Sequence, residues 1–137
     1  KHERDTRIKR LAGKVDRVLV DAPCSGLGTL RRNPDLKWRQ SEESVLELAV
    51  KQAAILEAAA RLARPGGRVV YATCSLLAAE NEAIVDAFLA AHPEFSLTPA
   101  ADVLAKHGIT TEGDTLRLLP HRHHTDGFFA AVLDRKA

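Results

Sequence analysis

Val15-Asp16-Arg17-Val18-Leu19-Val20-Asp21, followed at once by Ala22-Pro23-Cys24-Ser25-Gly26, is the stretch on which the fold turns. The first seven residues are rich in β-branched side chains, and Pro23 cannot continue a hydrogen-bonded ladder, so a strand over 15–21 is predicted to end in a loop. Its apolar run Val18-Leu19-Val20 is continuous rather than alternating, which predicts a buried strand. Further along, Arg68-Val69-Val70-Tyr71-Ala72-Thr73 has the same character and runs into Cys74-Ser75. Between the two, Ser41 can cap a helix whose first turn holds Glu42 and Glu43, where acids suit the helix dipole. Apolar residues at Val45, Leu48, Ile55, Ala59 and Leu62, with a second row at Ala49, Ala53, Leu56 and Ala60, follow the 3.6 period. Arg61, Arg64 and Pro65-Gly66-Gly67 read as its stop.

A second helix is predicted over 78–91, with Ile84, Val85, Phe88 and Leu89 on its apolar face and His92-Pro93 closing it. Strand, helix, strand, helix is the pattern of an α/β fold with a parallel sheet. Residues 116–119 and 128–133 read as two further strands, joined by a His-rich connection with Asp126-Gly127 as turn chemistry. They predict an antiparallel pair at the end of the sheet. No internal repeat or linker divides the chain, so residues 15–137 are expected to form one unit behind a basic segment over 1–14.

The chain has 137 residues, 45% hydrophobic and 28% charged, a balance that excludes a disordered or low-complexity protein. No apolar run approaches the roughly 20 residues of a membrane span, and no leader pattern is present, so the chain is read as soluble and cytoplasmic. It opens at Lys1 and contains no methionine, and is read as a piece of a longer polypeptide. The net charge is only +2 but unevenly spread. Lys1, Arg4, Arg7, Lys9, Arg10 and Lys14 face only Glu3 and Asp5, and Arg31, Arg32, Lys37 and Arg39 surround Asp35. Two basic patches on a nearly neutral chain suit a phosphate-bearing partner, although a solvated surface without a ligand fits them equally well.

Ligands of open α/β sheets bind at the carboxyl ends of the strands, and both cysteines of the chain fall there. Two buried core thiols would be the plainer account, because free Cys is among the most buried residue types. The residues around Cys24 argue against it, since Pro-Cys after an acidic strand end is not a general core pattern. The stretch DAPCSGLGTLRRNPDLKW, the later PGGRVVYATCS with its following ENE, and LLPHRHHTDGFFAAVL together resemble the RsmB/Nop/Sun family of RNA cytosine-C5 methyltransferases, from about Val15 to Leu133.

The resemblance implies a Rossmann-like methyltransferase fold represented by its later strands, S-adenosylmethionine as methyl donor, and RNA as substrate. Ribosomal RNA is the commonest target of bacterial-type relatives and transfer RNA the main rival. It also implies roles for the cysteines: Cys74, after Thr73, as the nucleophile, and Cys24, after Pro23, as the group that assists product release. Carbon 5 of a pyrimidine is too weak a nucleophile to attack a methyl sulfonium until a thiolate has added at carbon 6, so the chemistry calls for a cysteine. Asp21, by the same carry-over, lines the junction of methyl donor and base beside Pro23, although an Asp ending a strand can simply cap the following turn. An Asp-Pro-Pro-aromatic motif typifies enzymes that methylate exocyclic nitrogen; Cys24 in the last place suits carbon.

Arg31, Arg32, Lys37 and Trp38 combine cations with an aromatic face and are read as RNA contacts, with Trp38 sealing a helix N-terminus as the competing reading. His121, His123 and His124 invite a metal reading, which is set aside because no carboxylate or thiol at ligand spacing joins them. A hydrolase or redox role for the thiols is disfavoured, since no His is placed to activate them and no CxxC occurs. A non-catalytic RNA-binding domain of the same fold is the standing alternative.

The family's glycine-rich cofactor turn and second acidic strand end have no counterpart here, and a whole methyltransferase sheet needs roughly 200 residues. The isolated chain is therefore expected to bind S-adenosylmethionine weakly or not at all. Calorimetric titration checks this, and tight binding to residues 1–137 would refute it.

Overall fold

The computed structural model describes residues 6–137; Lys1, Glu3, Arg4 and Asp5, on which part of the basic segment rests, lie outside the described residues. A short helix α1 (Thr6–Lys9) precedes strand β1 (Val15–Asp21). A one-turn helix α2 (Leu36–Arg39) and the long α3 (Glu42–Ala60) lead to β2 (Ala63–Thr73), then α4 (Glu82–Ala91), β3 (Phe95–Thr98) and α5 (Ala100–Ala105). The chain closes with β4 (Leu116–Leu118), α6 (Pro120–His123) and β5 (Phe128–Arg135).

β1 and β2 pair in parallel, as the strand-helix-strand pattern predicts, and α3 is the crossover. Ser41 caps α3 as expected: its hydroxyl accepts the Ser44 N–H at 3.1 Å, and the Ser44 hydroxyl accepts the Ser41 N–H at 2.9 Å. The helix stops at Ala60, ahead of Pro65-Gly66-Gly67. That triplet lies within β2 as an irregularity, since β1 pairs first with Ala63 and next with Arg68. Gly66 has φ +79°, a conformation that disfavours any side chain, so the triplet shapes a bulge rather than ending the helix.

Three expectations are corrected. β1 is not buried: only Val20 is, and Leu19 stands 72% exposed, because among the described residues β2 is its only partner in the sheet. The second helix begins at Glu82 rather than at residue 78, because Glu80 and Asn81 are buried with their side chains bound to the neighbouring loops. The terminal strands do form the expected antiparallel pair, but not at the end of the sheet. The order is β1-β2-β5-β3, with β4 also on β5. β5 is an interior strand, antiparallel to β2 along one edge, while its other edge is shared in succession by β4 (register Leu118↔Phe128) and β3 (register Phe95↔Arg135). β3 is too short to leave a periodic signal. α6 lies between β4 and β5, so Asp126-Gly127 is not a hairpin turn.

Leu56 of α3 and Ile84, Val85 and Phe88 of α4 pack with Val69, Tyr71, Phe129, Ala131 and Leu133 of the central strands in one core cluster. Full burial of a side chain such as Leu56 contributes roughly 1.5–3 kcal/mol. The far end of the sheet is tied by a bidentate ion pair, Arg68 Nε to Asp134 Oδ1 at 2.7 Å and Arg68 Nη2 to Asp134 Oδ2 at 3.1 Å. The hydroxyl of Thr98 donates to the same carboxylate at 2.5 Å, so β2, β5 and β3 meet at one acid. The Arg68 hydrogen bonds hold the Asp134 carboxyl below the usual carboxylate range.

His92, at the C-terminus of α4, stacks on Phe88 with ring centroids 4.4 Å apart and bridges two acids. Its Nε2 is 2.6 Å from Glu57 Oε2 on α3 and its Nδ1 is 3.0 Å from Glu94 Oε1. Burial alone would lower its pKa, but the bonds to Glu57 and Glu94 outweigh burial and hold it above the ordinary 6.5. A raised folded-state pKa stabilises the fold below the unfolded value, and that contribution is lost as pH rises through the folded value. The melting temperature is therefore expected to decline as pH rises above the ordinary 6.5, and His92→Gln to flatten that decline, in thermal melts at constant ionic strength. An unchanged slope in the variant would assign the pH dependence elsewhere.

Candidate active site

The parallel register sets Asp21 opposite Ala72, and the Ala22 N–H continues the ladder to the Ala72 carbonyl at 2.9 Å. The two chains thus leave the sheet side by side, and Cys24 and Cys74 follow as matching residues of adjacent loops. Their sulfurs are 3.2 Å apart, and both thiols are free and half-buried. The sequence reading brought both cysteines to one sheet edge, and the structure places them in contact.

A third loop closes over this pair. The Gly28 N–H donates to the Cys74 carbonyl at 2.9 Å, and the Gly127 N–H donates to the Gly28 carbonyl at 2.6 Å. A Cβ on Gly28 would sit 2.4 Å from the Gly127 carbonyl oxygen and 2.6 Å from that of Cys74, so no side chain fits there. The connection between α6 and β5 is in this way held against both cysteine loops.

Beneath the sulfurs lies a polar cluster with no counterpart in the sequence reading. Glu80 is fully buried. Its Oε1 accepts the Ser25 N–H at 2.8 Å and Gln52 Nε2 at 3.2 Å. Its Oε2 accepts the Ser25 hydroxyl at 2.7 Å and also the Ser75 hydroxyl. Gln52 Nε2 reaches the Pro23 carbonyl at 2.9 Å, and Asn81 Nδ2 donates to the Ser75 carbonyl at 2.8 Å. The Thr73 hydroxyl donates to Asn81 Oδ1 at 2.5 Å, and the Tyr71 hydroxyl to the Glu80 carbonyl at 2.6 Å. Two signals pointed here: the dipeptide Cys-Ser recurs at both strand ends, and Gln52 interrupts the apolar face of α3.

The electrostatics of the pair differ from an ordinary surface thiol. Burial pushes the Cys24 thiol up to about 12, and the hydrogen bond with Cys74 adds to the effect. Cys24 accordingly carries its proton at neutral pH. Burial, followed by the charges of Glu80 and Cys24, also raises the Tyr71 phenol above its usual range.

The other expected site residues fall around this centre in two groups. Asp21 and Pro23 are exposed at the end of β1. Asp21 borders an open groove of about 440 Å³, whose apolar lining includes Ile8, Val18, Leu19 and Ile55. A free carboxylate beside apolar surface suits a ligand with hydroxyl or amino groups and a flat ring, so these residues fit one side of a nucleoside-bearing cofactor. On the other side, the Arg31 guanidinium donates to the His124 carbonyl at 2.8 Å, and Arg32 Nε lies 3.2 Å from Asp126 Oδ2. Both arginines thus hold the α6–β5 connection while remaining exposed. Trp38 does not seal a helix; it is 80% exposed, with Lys37 Nζ 4.7 Å from its ring centroid. His123 Nδ1 accepts the Leu119 N–H at 3.0 Å, and no cluster of three or more His, Cys, Asp or Glu able to hold a metal occurs among the described residues. No described helix is long and apolar enough to cross a membrane.

The family model for 16S rRNA methyltransferase RsmB/F matches residues 2–134. The chain is 47% identical over 123 residues to "Probable ribosomal RNA small subunit methyltransferase B" of Synechocystis sp., covering 88% of this chain and 27% of that protein. It is 43% identical over 123 residues to the ribosomal RNA small subunit methyltransferase B of Yersinia pseudotuberculosis, covering 90% of this chain and 27% of the relative. Among solved structures, NSun6 from Pyrococcus horikoshii with SFG superposes with a TM-score of 0.79 at 29% identity, over 100% of this chain and 34% of that one. The chain spans about a quarter to a third of the length of these relatives. Its α/β fold is the methyltransferase fold that the sequence leads one to expect.

The raised Cys24 pKa has a direct chemical readout. In Cys74→Ser, which leaves Cys24 as the sole thiol, alkylation by iodoacetamide at pH 8 is expected to run about tenfold or more below that of an unhindered thiol, and to accelerate only at strongly alkaline pH. Alkylation at the rate of a free thiol would remove the assigned protonation state.

Proposed function

Since the chain belongs to the 16S rRNA methyltransferase RsmB/F family, we propose that it carries the base-activating side of an S-adenosylmethionine-dependent RNA methyltransferase site, and that the methylated atom is carbon 5 of cytosine. The observation that carries this reading is the 3.2 Å approach of the Cys24 and Cys74 sulfurs at the carboxyl ends of two parallel strands. One thiol can attack a base while the other handles a proton at the same place.

Cys74 is the nucleophile. It gives its proton to solvent, its sulfur bonds to carbon 6 of the cytosine, and electron density moves to carbon 5. Asp21 and Pro23 would hold S-adenosylmethionine, which when bound would supply the electrophilic methyl group for that carbon. The proton on carbon 5 must then leave to solvent, after which the Cys74–carbon 6 bond breaks, the electron pair returns to the Cys74 sulfur and aromaticity is restored. Cys24 stands close enough to exchange a proton with the adduct, and because its thiol carries its proton at neutral pH it can give that proton to the Cys74 sulfur as the bond to carbon 6 breaks. Asp21 offers an acceptor to the cofactor or to the polar edge of the base.

RNA meets the exposed Lys37–Trp38 pair, where a base can stack on the indole and a phosphate can approach the ammonium. Arg31 and Arg32 add positive potential nearby while holding the α6–β5 connection in place. Ribosomal RNA is the proposed substrate, in keeping with the names of the relatives.

The test is a covalent protein–RNA adduct, sought in a full-length methyltransferase carrying these residues, incubated with RNA and cofactor. Cys24→Ala is expected to accumulate the adduct, because release is impaired, and Cys74→Ala to abolish it. Equal behaviour of the two variants would overturn the assigned roles, and RNA binding without an adduct in any form would mark a non-catalytic RNA-binding domain.

A further inference from the structure

The two cysteine loops are joined below their sulfurs by a single side chain. Cys24 and Cys74 are each followed by a serine, and both serine hydroxyls donate to the same oxygen, Glu80 Oε2. The hydroxyls are themselves 3.4 Å apart, so the two loops converge on one carboxyl group from opposite strands. Glu80 Oε1 takes the Ser25 backbone N–H and Gln52 Nε2, and the same Gln52 nitrogen holds the Pro23 carbonyl, one residue before Cys24. Asn81, the next residue, holds the Ser75 carbonyl, one residue after Cys74. No cation is bonded to Glu80 among the described residues; its partners are an amide N–H, a carboxamide and two hydroxyls. A carboxyl buried in this way is costly unless each oxygen is satisfied, and here the groups that satisfy it belong largely to the two loops that carry the thiols.

We propose that Glu80 is a positioning residue that fixes the separation of the Cys24 and Cys74 thiols, through the hydroxyls of Ser25 and Ser75, and so sets the geometry in which both reach one base. The inference rests on the proposed use of the two thiols, but it concerns their spacing and can be measured without methyl transfer. Tyr71, Leu56 and Phe129 belong to the apolar core cluster, whereas Ser25 and Ser75 reach Glu80 from the two loops, so the serine links can be removed without deleting a core side chain. Replacing the carboxyl with a carboxamide keeps one oxygen for the Ser25 N–H and Gln52, and leaves an amide toward which the two hydroxyls can turn as acceptors. Alanine keeps none of these links.

The probe is phenylarsine oxide, which condenses with two thiols at bonding separation and releases one water. Wild-type chain is expected to capture it through Cys24 and Cys74, with capture lost in either single Cys→Ala variant. Glu80→Ala is expected to weaken capture about tenfold or more, because the thiols lose the effective concentration that the shared anchor gives them. Glu80→Gln is expected to stay within about threefold of wild type. If Glu80→Ala does not fold, the double variant Ser25→Ala/Ser75→Ala removes the same two arms, and weakened capture is expected there. A folded Glu80→Ala or double-serine variant that captures the arsenical as wild type does would overturn the proposal. A merely structural role would lower the melting temperature while leaving capture by the folded fraction unchanged. Failure of the methyltransferase reading would show separately, as no adduct with RNA in a wild-type protein whose thiols still capture the probe.

Discussion

A carboxyl group withdrawn from water must be met by donors, and at Glu80 that requirement organises the reactive edge of the sheet. Its donors come from three places in the chain: Gln52 from the crossover helix, Ser25 from the loop after β1, and Ser75 from the loop after β2. None can move away without leaving a polar atom unpaired in the core, a loss of roughly 1–3 kcal/mol each. The start of α4 yields to the same demand. Residues 78–81 forgo helical continuation so that Glu80 and Asn81 can turn inward. The helix dipole and the apolar face of α4 matter less at this point than the satisfaction of two buried side chains.

Above this cluster the geometry is governed by backbone contact. Gly28 and Gly127 approach so closely that each excludes a side chain at the other, and their hydrogen bonds link the first cysteine loop to the entry of β5 and, through the Cys74 carbonyl, to the second. Arg31 and Arg32 reinforce the same junction from outside. Basic residues that look from charge alone like free phosphate ligands are therefore engaged within the fold. They brace the segment that runs past the thiols.

The legible parts of the molecule are those with strong local chemistry. The β-branched run before Pro23, the Ser41 cap with acids behind it, and the 3.6-period face of Ile84, Val85 and Phe88 each declare an element, and the strand-helix-strand order declares a parallel pair. That order also brings Cys24 and Cys74 to one edge, where their sulfurs meet. What local pattern cannot carry is the choice of neighbours. Nothing in Phe128–Arg135 says that it lies between β2 and β3 rather than outside them, and four residues of β3 are too few for a periodic signal. The exposure of Leu19 escaped for the same reason: a continuous apolar run predicts burial only when something is paired beyond it. Glu80 escaped because an acid in a turn reads as solvated until its partners are known.

The interior position of β5 has a kinetic meaning. Every strand but β1 pairs with it, yet it follows all of them in the chain. As the polypeptide grows, β1, α3 and β2 can associate early, whereas β3 and β4 have no ladder to join until residues 128–135 exist to receive them. The sheet is thus completed by long-range closure only once residues 128–135 are made, and until then the open edge of β2 is an unpaired template for other chains. The strand that holds the fold together is also the one whose delay exposes it to misassembly.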